Sequence, residues 1–166
     1  STEKKDKTSQ DVIEKTTLTD ERVAIGSKFF TMVKGNGQEI TKDHPFYKWV
    51  GGKKLPRVVL FSSDGNKIGK LEGRASPSKV FSLMQKAFSR DFQGKLDRIV
   101  KDYQKILTSI DKLDVLKKSL ATKEGKKGLT NSDKKKIEKE KQELAAEEQE
   151  LKDQEDKILE VERKSA

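Results

Sequence analysis

The feature that most constrains this chain is a run of apolar residues spaced three and four apart in its second half. The run begins at Leu96 and continues for about seven turns. Such spacing places an apolar stripe along one face of a helix and predicts a single long helix. A glycine-containing break follows at residues 125–128, and a second apolar series with steps of seven begins at Ile137. We therefore predict a hairpin of two long antiparallel helices, a coiled coil, over residues 93–166.

The predicted hairpin has a first helix at about 94–123, a turn at 124–131 and a second helix at about 132–164. The sequence Asn131-Ser132-Asp133 is the expected N-cap cluster of the second helix. The apolar face of the first helix is broader than a two-helix hairpin requires, which indicates a further contact with the rest of the chain or self-association. The expected contact residues of the coiled coil are Tyr103, Ile106, Leu107, Ile110, Leu113, Leu120, Ile137, Leu144, Leu151 and Ile158.

Composition agrees with a small domain that carries a long appendage. Only 31% of the 166 residues are hydrophobic and 39% are charged, which is too polar for one core of that size. The net charge is +9. Residues 21–92 hold fourteen basic and six acidic residues, net +8, whereas residues 131–166 hold nine basic and twelve acidic residues, net −3. Residues 93–130 are net +5, so the two helices of the hairpin have opposite charge and favour ion pairs beside an apolar seam.

The compact domain is predicted at residues 9–92, after a polar and disordered segment at residues 1–8. Two short helices fit between residues 9 and 27, with Thr19 or Asp20 as N-cap of the second. A strand is expected from Phe29 to Lys34, because the segment is rich in aromatic and β-branched residues and ends at a glycine-rich stop. A further short helix is expected near residues 46–50.

The clearest local pattern is a β-hairpin followed by a helix. Arg57 to Phe61 is an apolar run, an Asp-Gly turn follows, and Lys67 to Glu72 returns before Gly73. Ser76-Pro77 then opens a helix, with Ser76 as N-cap. The apolar face of that helix is expected to pack in the core and consists of Val80, Phe81, Leu83, Met84, Ala87 and Phe88.

Several classes of chemistry lack the residues that they need. The chain has no cysteine, which excludes dithiol redox chemistry, thiol nucleophiles and thiolate metal sites within it. The single histidine, His44, cannot form a multi-histidine zinc site, and no nucleophile-elbow motif accompanies it. We therefore expect no catalytic residue, no metal and no cofactor. No segment has the length and apolarity of a membrane span, and the compartment is left open between the cytoplasm and export after processing.

The order of strand, Asp-Gly turn, strand and Ser-Pro helix, entered through Leu55-Pro56, resembles the C-terminal half of the thioredoxin fold. The resemblance covers about residues 10–90 and implies an α+β protein: a thioredoxin-like α/β domain followed by the helical hairpin. Two departures stand out. The redox Cys-x-x-Cys motif of the family is missing, and no segment before Val12 can form the first central strand, which favours a fragment of a longer chain over a strand donated by a partner or an altered topology.

The leading functional hypothesis is a redox-inactive, non-catalytic scaffold whose coiled coil mediates oligomerisation, such as homodimerisation, or docking of a protein partner. An upstream redox motif in a longer chain would reopen the question of enzymatic activity. One alternative is a chaperone-like groove for extended peptides formed by Leu55, Pro56, Trp49 and Phe46. Another is nonspecific nucleic-acid binding by the basic domain, with aromatic residues beside Lys53 and Lys54.

Overall fold

The structure is a computed structural model that describes residues 9–36, 39–45, 47–50, 55–126 and 128–161. Its described part is an α+β arrangement with one two-stranded antiparallel sheet and two long C-terminal helices. Helix α1 covers residues 9–17, where 9–12 are α-helical and Ile13–Thr17 form a π-helical turn. The remaining elements are α2 Glu21–Ser27, α3 Tyr47–Val50, β1 Arg57–Phe61, β2 Lys67–Glu72, α4 Pro77–Asp91, α5 Leu96–Glu124 and α6 Asn131–Leu159.

The helices α1 and α2 confirm the prediction of two short helices before residue 28. Asp20 is the N-cap of α2, because its carboxylate accepts hydrogen bonds from the backbone N–H groups of Arg22 and Val23. The Arg22 guanidinium also donates to this carboxylate and lowers the pKa of Asp20. In α1, the buried hydroxyl of Thr17 donates to the Ala75 carbonyl oxygen at 2.6 Å and ties the helix to the segment that leads into α4.

The predicted β-hairpin is confirmed with the expected bounds. Val58 pairs with Leu71 and Leu60 with Gly69, and a β-bulge follows between Leu60 and Phe61. The two strands pass close under α4. A Cβ atom at Gly69 would lie 2.5 Å from Cδ1 of Leu83 on that helix, so only glycine fits there without a shift.

Hydrogen bonds within the turn keep the two strands in register. The Asp64 carboxylate accepts hydrogen bonds from the Ser62 hydroxyl and from the side-chain and backbone nitrogens of Asn66. These bonds, led by that from Ser62, lower the pKa of Asp64 to about 2. Arg90 of α4 adds an ion pair to Asp64 at 3.1 Å and links the turn to the helix.

Helix α4 supplies the centre of the compact unit. All six residues of its predicted apolar face are buried, as expected, and the helix packs against β1, β2, α2 and α1. Pro77 is the first helical residue, and Ser76 occupies the N-cap position without a side-chain capping hydrogen bond. At the far end of α4, Phe88 is 0% exposed; its ring meets that of Phe29 edge-on at 5.3 Å and stacks on that of Phe92 at 4.8 Å.

The predicted strand from Phe29 to Lys34 is wrong. The N–H groups of Phe29 and Phe30 donate to the carbonyls of Gly26 and Ser27, so the backbone continues the end of α2 as a turn. Residues 31–36 have no regular secondary structure, and Met32 and Val33 are 59% and 88% exposed. The Phe29 ring contributes to the aromatic core instead, because strand propensity acts only where a neighbouring strand is in position to pair.

The described part of the chain divides into two compact units. One extends to Val100 and includes Val161, and the second consists of Lys101–Glu160. Helix α5 is continuous through the boundary, and its first turns bury Leu96 and Val100 within the first unit. The second unit holds the greater part of α5 together with α6, which are the two long helices that the apolar series predict.

The ends of the long helices differ slightly from the prediction. Thr130, rather than the Asn131-Ser132-Asp133 cluster, is the N-cap of α6: its hydroxyl accepts from the Asp133 N–H at 3.2 Å, and the Asp133 carboxylate accepts from the Thr130 N–H at 3.0 Å. The hydroxyl of Thr130 also donates to Asp133, and these bonds lower the pKa of that carboxyl. Helix α5 begins at Leu96 because Gly94 adopts a φ of +86°, and α6 ends at Leu159, before the expected residue 164.

Candidate protein-interaction surface on the helical hairpin

The second unit is held together by an apolar seam between α5 and α6. Ile106, Leu113 and Leu151 form its buried cluster. Three half-buried residues pack against this cluster, namely Ile110, Leu144 and Ile158. Leu120 and Ile137 are also buried, toward the turn of the hairpin. The seam uses one apolar residue per seven along α6, as the sequence indicates.

The two other predicted contact residues, Tyr103 and Leu107, differ in burial. Tyr103 is buried, and its hydroxyl donates a hydrogen bond to the Glu155 carboxylate on α6. Leu107 is half-buried. The stability of the hairpin therefore comes from a narrow apolar line with one polar link, which leaves most of both helix surfaces in solvent.

Ion pairs flank the seam on both sides. Lys117 Nζ lies 2.7 Å from Glu148 Oε2, and Lys141 Nζ lies 2.7 Å from Glu124 Oε1. The hydrogen bond that Lys141 donates to the Glu124 carboxylate raises the pKa of Lys141. A third pair, Lys123 with Glu140, is 3.1 Å apart. Exposed pairs of this kind contribute little to stability because water and salt screen them, so they specify alignment more than they stabilise the hairpin.

A shallow groove lies between the first two of these ion pairs. Its floor is formed by Leu120 and Ala121 of α5 with Leu144 and Ala145 of α6. Both alanines are exposed, whereas Leu120 is buried and Leu144 is half-buried. The groove exists because small side chains stand where longer ones would fill the space between the helices. Its rim is formed by Lys117, Glu124, Lys141 and Glu148.

The groove is lined by a short sequence repeat that apolar periodicity does not predict. Residues 117–124 and 141–148 both read Lys-x-x-Leu-Ala-x-x-Glu. The sequence shows this directly when the two helices are aligned at an offset of 24 residues. Apolar spacing does not reveal it, because alanine and paired charges carry no hydrophobic signal.

Two apolar side chains of α5 outside the seam are exposed. Leu116 is 52% exposed and Val115 is 65% exposed. Leu116 follows the buried Leu113 by three residues and Lys117 follows it by four, which puts these two side chains on opposite sides of the seam. The surplus apolar face that the sequence indicates on the first helix is thus divided: Leu96 and Val100 are buried in the compact unit, while Leu116 and Val115 face solvent.

The predicted peptide groove near Pro56 is only partly within the described residues. The Leu55–Pro56 peptide bond is cis, and both residues are half-buried. The Trp49 ring meets that of Phe61 edge-on at 5.3 Å. The fourth predicted residue, Phe46, lies outside the described residues, as do Lys53 and Lys54 of the nucleic-acid alternative.

Strand β1 connects this region to the sheet. Arg57 Nη1 donates to the Trp49 carbonyl oxygen at 3.4 Å, and Arg57 Nε lies 3.3 Å from Glu72 Oε1. All five residues of β1 are half-buried. The arrangement brings Trp49 to β1.

His44 is exposed in the turn before α3, where its carbonyl accepts from the Tyr47 N–H. Within the described residues, no three histidine, cysteine or acidic side chains are grouped so that they could hold a metal ion. Across the same part of the chain, no helix has the length and apolarity needed to cross a membrane.

Comparison of the chain with protein-family models, curated proteins and solved structures found no significant match.

Proposed function

We propose that this chain is a non-catalytic protein-interaction protein whose α5/α6 hairpin is the element for docking or oligomerisation. The observation that carries the proposal is the pair of surfaces beside the seam, one with exposed Leu116 and the other with the alanine-floored groove. Two 29-residue helices joined through a one-in-seven apolar line expose far more surface than they bury. Exposed helix surface of this extent suits the display of contact surfaces.

A site-specific photo-cross-linking experiment tests this proposal. A photoreactive phenylalanine analogue is introduced singly at Leu116 or Lys118 on the hairpin, and at Ser82 or Lys86 on the exposed face of α4, in the native source. We expect discrete covalent adducts, either with a second copy or with another protein, from the hairpin positions and none from α4. The absence of hairpin adducts, or equal adducts from α4, would contradict the proposal.

We further propose that the compact unit is a redox-inactive thioredoxin-like domain. Support comes from residues 55–91, where a β-hairpin entered through Leu55-Pro56 is followed by a Ser-Pro helix that packs across both strands. The segment from Phe29 to Lys34 adds no support, because it is not a strand.

The position of Trp49 favours a second candidate function, the binding of extended peptides beside β1. Trp49 is the only tryptophan, so its fluorescence reports on this region alone. If the region binds peptides, titration with a reduced, unfolded polypeptide should shift the emission maximum in a saturable way, while the same polypeptide in its folded form should leave it unchanged. A flat response to both titrants would exclude this function at β1.

A further inference from the structure

The two copies of the Lys-x-x-Leu-Ala-x-x-Glu repeat are related by an approximate twofold axis through the groove. Because α5 and α6 are antiparallel, a half turn about an axis normal to the groove exchanges residues 117–124 with 141–148. The axis exchanges the two ion pairs, and both have a separation of 2.7 Å. It also exchanges the leucines and alanines of the floor. The surface is therefore nearly identical in two opposite orientations.

The charges around the groove alternate in sign. The rim passes from Lys117 across to Glu148, along α6 to Lys141, and across to Glu124. A second copy of this groove can be turned over and laid on the first by a half turn about an axis in the plane of contact, either along the helices or across them. In both arrangements every corner of the rim faces a corner of opposite charge. The pattern is thus complementary to itself.

We propose that the groove is the contact surface for a second copy of this chain, which docks groove to groove to form a dimeric four-helix contact. This inference rests on the proposed function and names its partner. A single foreign helix would meet the groove in two nearly equivalent orientations, so the surface specifies no unique pose for it. A second copy has the same twofold symmetry, so the two orientations give the same complex, which is the usual property of an isologous interface.

The side chains of the floor permit close approach of the two hairpins. Ala121 and Ala145 are exposed and short, and the half-buried Leu144 lies beside them, so opposing helices can approach closely at the floor. Helices packed through such small residues approach to about 8–10 Å. The repeat extends over two turns, about 12 Å, so the interface is smaller than the standard 1,200–2,000 Å² and the dimer is concentration-dependent.

Charge reversal provides the test. The acidic variant carries Lys117→Glu and Lys141→Glu, and the basic variant carries Glu124→Lys and Glu148→Lys. Each variant alone presents four like charges to its own copy. We expect the wild-type solution mass, measured by sedimentation velocity over a range of concentrations, to rise from 18.8 kDa toward twice that value. Each variant alone should dimerise at least about tenfold more weakly. The equimolar mixture of the two variants should regain wild-type association, and salt should weaken this rescue.

A steric variant keeps the test decisive if charge reversal disturbs the hairpin. Ala121→Gln with Ala145→Gln fills the groove while retaining helix propensity and should abolish association without loss of helical circular dichroism. Ser119→Gln is the matched control, because a residue two positions from Ala121 lies on the far side of the helix. It should dimerise like the wild type.

The possible outcomes separate this inference from the proposed function. A wild-type chain that stays at 18.8 kDa at every concentration overturns the groove-to-groove dimer. The docking function would survive that result if cross-links from Leu116 or Lys118 capture a different protein. A dimer that tolerates both the charge and the steric variants uses another surface, and it also overturns the inference.

Discussion

Replacement of Phe88 by alanine should destabilise the compact unit by about 3–5 kcal/mol, the range typical of aromatic truncation in a protein core. Phe88 is 0% exposed, and its ring lies between those of Phe29 and Phe92. The truncation removes two aromatic contacts and leaves a cavity where α4 meets the residues after α2. Since domains of this size are stable by only about 5–15 kcal/mol, the change should lower the urea midpoint markedly.

The measurement is urea unfolding followed by Trp49 fluorescence, which reports on the compact unit because the chain has a single tryptophan. Phe88→Leu is the conservative comparison and should cost clearly less, since most of the buried volume remains. Ser82→Ala, on the exposed face of the same helix, should change stability by no more than about 0.5 kcal/mol. A loss below about 1 kcal/mol for Phe88→Ala would show that this aromatic cluster is not central to the core.

Local patterns account for the parts of the fold that the sequence predicts correctly. The six buried residues of α4 follow from helical spacing alone, and Pro77 marks its first turn. The strand bounds of Arg57–Phe61 and Lys67–Glu72 follow from an Asp-Gly turn between two apolar runs. In each case the information lies within about fifteen residues of sequence, where turn and helix chemistry act directly.

Non-local interactions account for what the sequence does not predict. The segment after Phe29 has strand-forming residues, but the Phe29 ring is drawn into the core formed with Phe88 and Phe92, and residues 31–36 have no regular structure. The groove on the hairpin depends on which residues of α5 face which residues of α6. That register is set by contacts such as those of Leu113 with Leu151, which apolar spacing on either helix cannot supply.

Replacement of Leu113 by aspartate should unfold the hairpin while the compact unit remains folded. Leu113 is 3% exposed and belongs to the buried cluster with Ile106 and Leu151. The substitution removes about 2–5 kcal/mol of apolar packing and places a carboxylate in the seam, where its desolvation adds a further cost. We expect a large loss of helical circular dichroism at 222 nm, and Trp49 emission should stay at its wild-type maximum.

The matched control is Leu116→Asp, three residues further along the same helix and 52% exposed. Because Leu116 lies beside the seam rather than within it, aspartate there should change stability by about 0.5 kcal/mol or less. Full helicity in Leu113→Asp would contradict the seam as described.

The two substitutions also separate folding from docking, since Leu113→Asp should abolish any association that needs an intact hairpin. Association that survives Leu116→Asp would assign the contact to the opposite flank, where the groove lies, whereas its loss would assign the contact to Leu116 and its neighbours.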